Sequence, residues 1–391
     1  MPRPVVTYGS IADSLAERFQ RSYGTRAGIF RAPGRVNLIG EHTDYNDGFV
    51  MPAAIDYYTW VAAGKRDDRI LNVYSDQFAE TIELSLDTLA GEPRKHWSDY
   101  IRGVAAVLQT AGYPLSGANL IIHGQVPLGA GLSSSAALEV STALALLSVS
   151  SHRLPPLELV KTCQRAEHEY AGTRCGIMDQ FITIFGRSGH ALMLDCRSLD
   201  YKLLPIPTDV RLVICNTMVK HALAAGEYNR RRADCEAGVK ILQQHLPNVR
   251  ALRDVTPSDL QKYKKELPDV VYHRSCHVIS ENQRVLAAAG ALQSGDLARF
   301  GQLMYESHSS LRDNYEVSCK ELDLLVELAS TCEGVYGARM TGGGFGGCTV
   351  NLVREDAEDR FRRWITEAYE KGTGNVPDVY VCSAAQGAAA W

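Results

Sequence analysis

Apolar residues fall at helical spacing at Ile11, Leu15 and Phe19, which predicts a short amphipathic helix over residues 11–22. Residues 28–39 and 49–64 are rich in β-formers and flank a polar stretch at 34–46, expected to be a loop or the start of a helix. Alternation over 70–85 predicts strands, and 98–111 reads as a helix. A strand over 118–126 leads through Pro127 and Gly129 into a helix beginning near Ser133. Its alanine- and leucine-rich interior, 136–147, suits burial on all sides. A helix is expected over 155–171, ahead of the segment 175–181 and strands around 190–204. Leu204-Pro205-Ile206-Pro207 then breaks the pattern and predicts a boundary, giving domains 1–205 and 206–391. Beyond it the pattern predicts a strand at 210–216 and helices over 226–246, 276–294, 296–313 and 319–331. A strand-turn-strand around the last glycine cluster, a helix at 356–370 and a strand at 377–382 complete the chain. Strands and helices mix without regular β-α alternation, so the expected class is α+β.

Composition narrows the field. The 391 residues are long for a single core, and a 45% hydrophobic content can fill two. A formal charge of −4 argues against nucleic acid or an anionic membrane as the main partner. The ten cysteines are scattered, without a C-x-x-C pair, and read as reduced thiols. The start, Met1-Pro2-Arg3-Pro4, lacks the apolar core of a signal peptide, and no apolar run reaches membrane-spanning length. A cytoplasmic protein, monomeric or weakly dimeric, is the expectation.

The chemistry concentrates in three places. Gly34-Arg35-Val36-Asn37-Leu38-Ile39-Gly40-Glu41-His42-Thr43-Asp44-Tyr45-Asn46 packs an arginine, two carboxylates, a histidine and amides into a dozen residues. Burying so many polar groups is costly unless a ligand supplies partners, and a polyhydroxylated ligand such as a sugar can. The second place is Pro127-Leu128-Gly129-Ala130-Gly131-Leu132-Ser133-Ser134-Ser135-Ala136, which joins a strand to a helix. Its glycines allow close backbone approach, and the helix start offers unpaired N–H groups to phosphate. It is neither a Walker A loop, lacking G-K-[ST], nor a dinucleotide fingerprint, and a glycine turn with a serine cap is the alternative. The third, Thr341-Gly342-Gly343-Gly344-Phe345-Gly346-Gly347, suggests close backbone approach to a ligand or to the other loop, with a flexible turn as the alternative.

Asp179, in Cys175-Gly176-Ile177-Met178-Asp179-Gln180-Phe181, sits among apolar residues and needs a nearby cation such as Arg35 as partner. Glu167 lies on a helix from which it can reach a metal. His273, Cys276 and His277 have zinc-like spacing but no second pair to complete a site, so a partly buried helix is preferred. The run Arg230-Arg231-Arg232 reads as a solvated helix face.

Three motifs in this order over nearly the whole chain resemble the galactokinases, within the family named for galactokinase, homoserine kinase, mevalonate kinase and phosphomevalonate kinase. The phosphate loop and the last glycine cluster are shared by the wider family, whereas residues 34–46 look like the galactokinase signature. The resemblance implies a ribosomal-protein-S5-like first domain, a ferredoxin-like second domain and a cleft between them. It implies ATP-dependent phosphorylation of α-D-galactose at its C1 hydroxyl, with ATP and Mg²⁺ required. Residue by residue, it makes Asp179 the catalytic base and Arg35 its partner. It places Arg35, Glu41, His42, Asp44, Gly176, Asp179 and Tyr228 around the sugar. Gly129, Ala130, Gly131, Leu132, Ser133, Ser134 and Ser135 would hold the nucleotide phosphates, and Ser135 and Glu167 the Mg²⁺. Thr43 and Asn46 favour plain galactose over related sugars on the same resemblance. Three rivals remain: a kinase for N-acetylgalactosamine, galacturonate or arabinose; a non-catalytic galactose sensor; and a mevalonate- or homoserine-type kinase. The intact Ser133–Ala137 run counts against the second, and the acid-rich signature against the third.

Overall fold

The computed structural model describes residues 8–220 and 224–391. In chain order the first part comprises α1 (Tyr8–Tyr23), β1 (Gly28–Asn37), β2 (Phe49–Val50), β3 (Pro52–Lys65), β4 (Ile70–Ser75) and β5 (Glu80–Ser85). It continues with α2 (Ser98–Thr110), β6 (Ala118–Gly124), α3 (Ser134–Val149), α4 (Pro156–Ala166), α5 (Met178–Phe185), β7 (His190–Asp195) and β8 (Tyr201–Pro205). The second part begins with β9 (Val210–Lys220), α6 (Ala224–Leu242), α7 (Pro257–Lys262), α8 (Asp269–Ser294), α9 (Leu297–Ser310) and α10 (Lys320–Ser330). It ends with β10 (Val335–Thr341), β11 (Gly346–Arg354), α11 (Glu358–Thr373), β12 (Asp378–Cys382) and β13 (Ala389–Ala390). The α+β class is as expected.

Three sheets form. A six-stranded sheet runs β13-β1-β3-β6-β4-β5, with β4 and β6 parallel and its other pairs antiparallel. β2, β7 and β8 make a small antiparallel sheet, and β10-β11-β9-β12 an antiparallel four-stranded one. That last order is the split β-α-β arrangement of ferredoxin-like domains. The expected boundary falls between β8 and β9, where the sheets change, but β13 returns to the edge of the first sheet. Two alanines carry no strand signal, so only the fold reveals this strap. The two parts share one apolar core that includes Leu38, Ile39, Val285, Phe300 and Val350. Each fully buried side chain of that kind contributes about 1.5–3 kcal/mol. Among the described residues, no helix is long and apolar enough to cross a membrane.

Several elements differ from the pattern in ways that matter for the site. The stretch 34–46 is not wholly a loop: it begins as strand β1, and only Asp44–Asn46 forms a single 3₁₀ turn. The register of β1 against β3 slips between Pro33 and Arg35, a bulge that re-aims Arg35. α8 starts at Asp269, seven residues before the expected 276, because Pro268 occupies its N-cap and periodicity weakens in the first two turns. The helices expected over 155–171 and 296–313 both end in π-turns, Glu167–Ala171 and Leu311–Tyr315. Such turns often mark functional positions, and each carries a residue of the site below. Arg231 is not solvated: it is buried and donates to the carbonyls of Tyr315 and Glu316 and to Glu227.

Candidate active site

The bulge puts Gly34 against the glycine-serine loop at 127–136, where an added Cβ would lie 2.7 Å from the Leu132 carbonyl. That close approach lets Arg35 N–H donate to the same carbonyl at 3.0 Å. The Arg35 guanidinium then forms a two-pronged pair with Asp179, both contacts at 2.8 Å, and also donates to the Gly131 carbonyl. Asp179 stands in the first turn of α5, and Ser133, in a left-handed conformation ahead of α3, donates its hydroxyl to the same carboxylate. The side chains of Ala130 and Leu132 are buried, so what they offer a ligand is backbone. The last glycine cluster packs onto this loop: a Cβ at Gly342 would meet the Gly131 carbonyl at 2.9 Å. Of the two partners expected for that cluster, the fold supplies the other loop, and Gly342 and Gly343 also line the cavity beside it.

Beside this pair lies a cavity of about 160 Å³ lined by Arg35, Glu41, His42, Asp44, Asp179 and Tyr228, with Glu167, Thr173, Cys175, Met178, Gly342 and Gly343. Gly176 backs it closely, since any Cβ there would overlap the Asp44 carboxylate at 1.9 Å. Glu41 is buried, and its Oε1 accepts from the Gly342 N–H at 2.8 Å, from Arg339 at 3.3 Å and from Thr341 at 3.3 Å. Burial, with the charges of Asp179 and Glu41, pushes the Asp44 carboxyl up to about 7. His42 adopts a left-handed backbone (φ 63°), and burial keeps its ring neutral. Thr43 and Asn46 are spent on the loop itself, Thr43 donating to the Gly40 and Phe49 carbonyls and Asn46 to that of His42. Of the zinc-like trio, His277 instead meets the Glu41 carbonyl at 3.1 Å and Ser310 at 2.9 Å.

Glu281 of α8 anchors the same loop from below. It accepts from Gly40 N–H (2.9 Å), Ser307 (2.6 Å) and Arg284 (2.6 Å). Burial raises its pKa, but Arg284, His277, Arg339 and the Ser307 bond outweigh it and hold it at about 2. A depressed carboxylate stabilises above its unfolded pKa, near 4.5, and loses that contribution as pH falls toward 2. We therefore expect Glu281→Gln to be about 2 kcal/mol less stable at pH 7. Urea midpoints should show the gap more than halved at pH 3; parallel curves for the two proteins would rule this out.

A second group of carboxylates sits behind Asp179. Gln180 donates to Glu167 at 2.7 Å and to Glu139 at 3.0 Å, and the Ser135 hydroxyl lies against Glu167. Burial and Asp179 push Glu167 up to about 7, and burial beside Glu167 raises Glu139 well above the usual range. Next to Ser134 and Ser135 opens another cavity, about 300 Å³, walled by Phe78, Trp97, Tyr100, Leu128 and Leu138. Phe78 and Trp97 stack with rings 5.2 Å apart and 7° from parallel.

This geometry has counterparts. Residues 17–65 match the galactokinase galactose-binding signature, 99–187 the GHMP kinase N-terminal domain and 288–371 the GHMP kinase C-terminal domain. A galactokinase from Roseiflexus sp. strain RS-1 is 49% identical over 374 residues, 95% of each chain. One from Chloroflexus aggregans is 51% identical over 372 residues, 94% of this chain and 95% of the relative. The chain belongs to the galactokinases, within the GHMP kinase family. The crystal structure of Lactococcus lactis galactokinase complexed with galactose superposes with a TM-score of 0.93 at 37% identity, covering 97% of this chain and all of that one. A mevalonate kinase shares the fold at a TM-score of 0.61 and 18% identity, covering 92% of this chain and 99% of that one.

Within this galactokinase fold, Arg35, Glu41, His42, Asp44, Glu167, Asp179 and Tyr228 line one cavity and Gly129, Ser134 and Ser135 the other, the two meeting where Ser135 lies against Glu167. Ala130, Gly131, Leu132 and Ser133 line neither, and the aromatic wall and the Glu139–Gln180 pair went unnoticed. Glu139 had a signal, being the lone charge in the apolar helix α3. Phe78, Trp97 and Tyr100 had none, because they come from separate segments and look like ordinary core residues.

Proposed function

We propose that the chain transfers the γ-phosphoryl group of ATP to the C1 hydroxyl of α-D-galactose, giving galactose 1-phosphate and ADP. The observation that carries this is the Arg35–Asp179 pair standing between a carboxylate-lined cavity and a glycine-serine helix start. Galactose would occupy the smaller cavity, with Glu41 and Asp44 accepting from its hydroxyls. Asp179, its orientation fixed by three donors, would take or orient the proton of the C1 hydroxyl. Arg35 would stabilise charge on the phosphoryl group. The amides of Gly129–Ser135 and the start of α3 would cradle the phosphates. The aromatic cavity, flat-walled and adjoining Ser134 and Ser135, suits the purine base.

Mg²⁺ fits the same frame. Ser135 and Glu167 offer adjacent hard oxygens, and a buried carboxyl raised to about 7 is one a cation would relieve. Two protein ligands leave room for phosphate oxygens, and the bound ion would supply charge neutralisation. Residues 1–205 would form the unit bearing the sugar signature and phosphate loop, and 206–391 the unit bearing the last glycine cluster, apart from the returned strap β13. The partners are then galactose and MgATP.

The test is ADP release with MgATP across galactose, N-acetylgalactosamine, galacturonate and arabinose, with the product identified by phosphorus NMR. Galactose should exceed the others in kcat/KM by about tenfold or more, with an anomeric phosphate as product. A preferred sugar other than galactose, or a phosphate at another position, would overturn the assignment.

A further inference from the structure

His42 stands in the proposed sugar pocket, but what it offers a ligand depends on which ring nitrogen bears the proton. Its Nδ1 lies 2.6 Å from the Tyr45 hydroxyl. That hydroxyl lies 2.8 Å from the Tyr315 hydroxyl, which in turn lies 3.2 Å from the Cys235 thiol. The chain crosses the molecule: Tyr45 is in the signature turn, Tyr315 ends the π-turn after α9, and Cys235 is on α6 two turns beyond Tyr228. Tyr315 is packed between two imidazoles, its ring centre 4.7 Å from those of both His42 and His277. Tyr315 and Cys235 are buried, so water cannot substitute for a missing partner.

We propose that Tyr45, backed by Tyr315 and Cys235, holds His42 as the tautomer with its proton on Nε2, making His42 a hydrogen-bond donor to an acceptor oxygen of the hexose. This rests on the galactose site proposed above. Three observations set the direction of the chain. The 2.6 Å contact falls in the range of hydroxyl donors and below the usual N–H range. A phenol is a stronger acid than an imidazole N–H, and a bare imidazole nitrogen a stronger base than a phenol oxygen, so Tyr45 donates. The third is the surroundings of Nε2. It is buried in a cavity lined by Arg35, Glu41, Asp44 and Asp179, and the Gly343 backbone carbonyl stands beside the ring as an acceptor that only a proton on Nε2 can meet. A proton facing that carbonyl is attracted, whereas a lone pair facing it is repelled.

The functional consequence follows from hydrogen-bond inventory. Carboxylates only accept, and they suit the hydroxyl protons of a sugar. The ring oxygen and the hydroxyl lone pairs need donors, and the side chains of the cavity supply few: Arg35, Thr173, Tyr228, weakly the Cys175 thiol and, in this tautomer, His42. Tyr45, Tyr315 and Cys235 are therefore positioning residues, acting through His42 rather than touching the sugar.

The decisive measurement is the nitrogen spectrum of ¹⁵N-histidine-labelled protein, with the His42 signals assigned from their loss in His42→Gln. We expect the proton on Nε2 in the wild type. In Tyr45→Phe we expect a tautomer mixture, with galactose dissociation and KM raised about tenfold and the KM for MgATP unchanged. Cys235→Ser, which keeps a donor at the far end, should preserve the wild-type tautomer and affinity. A wild-type proton on Nδ1 would overturn the proposal and needs no variant to fold. So would Tyr45→Phe leaving the tautomer unchanged, or raising the KM for MgATP as much as that for galactose. If calorimetry found no galactose binding to the wild type, the sugar site itself would fail, while the spectrum would still decide the relay.

Discussion

Asp179→Asn should lower kcat for galactose by about 10³-fold, close to 4 kcal/mol of transition-state stabilisation. The substitution keeps the shape of the side chain and removes its charge and one acceptor. Arg35, whose side chain is almost wholly buried, now meets both carboxylate oxygens at 2.8 Å and would face an amide NH₂ on one side. The proton of the C1 hydroxyl then has no anionic acceptor in line with the incoming phosphoryl group. In the proposed site Glu41, Asp44, His42 and Tyr228 hold the sugar as well, so galactose affinity should change only a few-fold. The check is steady-state ADP release together with galactose calorimetry on the same preparation. A variant retaining more than a tenth of wild-type kcat would remove Asp179 from the proton-handling role.

Glu41→Leu in the proposed sugar pocket should cost about 3–5 kcal/mol of stability. Arg339 is fully buried, and among described residues only its Nη1 finds partners, the Asn37 carbonyl at 2.9 Å and Glu41 at 3.3 Å. Removing the carboxylate takes away the anion in direct contact with that cation, leaving among described residues only the nearby charge of Glu281, and leaves the Gly342 N–H without its 2.8 Å acceptor. An entropy of unfolding scaled to this length converts the loss to about 4–6 °C in Tm. Glu41→Leu combined with Arg339→Met should recover much of it, since replacing a buried pair by apolar groups is often close to neutral. Galactose affinity should not recover in the double variant, because the pocket carboxylate is still missing. An unchanged Tm in Glu41→Leu would show that Arg339 is satisfied otherwise.

These two expectations differ in how much of each was legible along the chain. Asp179 and Arg35 are 144 positions apart, yet each stands in a motif whose chemistry asks for an opposite charge. Glu41 could be assigned to a sugar from its neighbours, but not its second task of joining β1 to the last glycine cluster. That task depends on Arg339, an unremarkable residue in a strand some 298 positions away. The same holds for the π-turns that deliver Glu167 and Tyr315. Hydrophobic periodicity reports which face of a helix is buried and is blind to one extra residue inserted into its last turn. It was equally blind to Arg231, whose flanking arginines suggested solvent while tertiary partners drew it inside.

Order along the chain was thus enough for the α+β class, most elements within a few residues, and the chemical character of three loops. Those properties are local: turn residues, alternation and the density of polar side chains act over a few positions. The packing of Gly131 against Gly342, the aromatic cavity, the Glu139–Gln180–Glu167 group and the relay behind His42 came from the fold alone. Each joins groups from distant segments, and a buried polar atom takes whichever partner the packing brings within 3 Å. Sequence specifies the need for such a partner, while three-dimensional proximity decides which residue meets it.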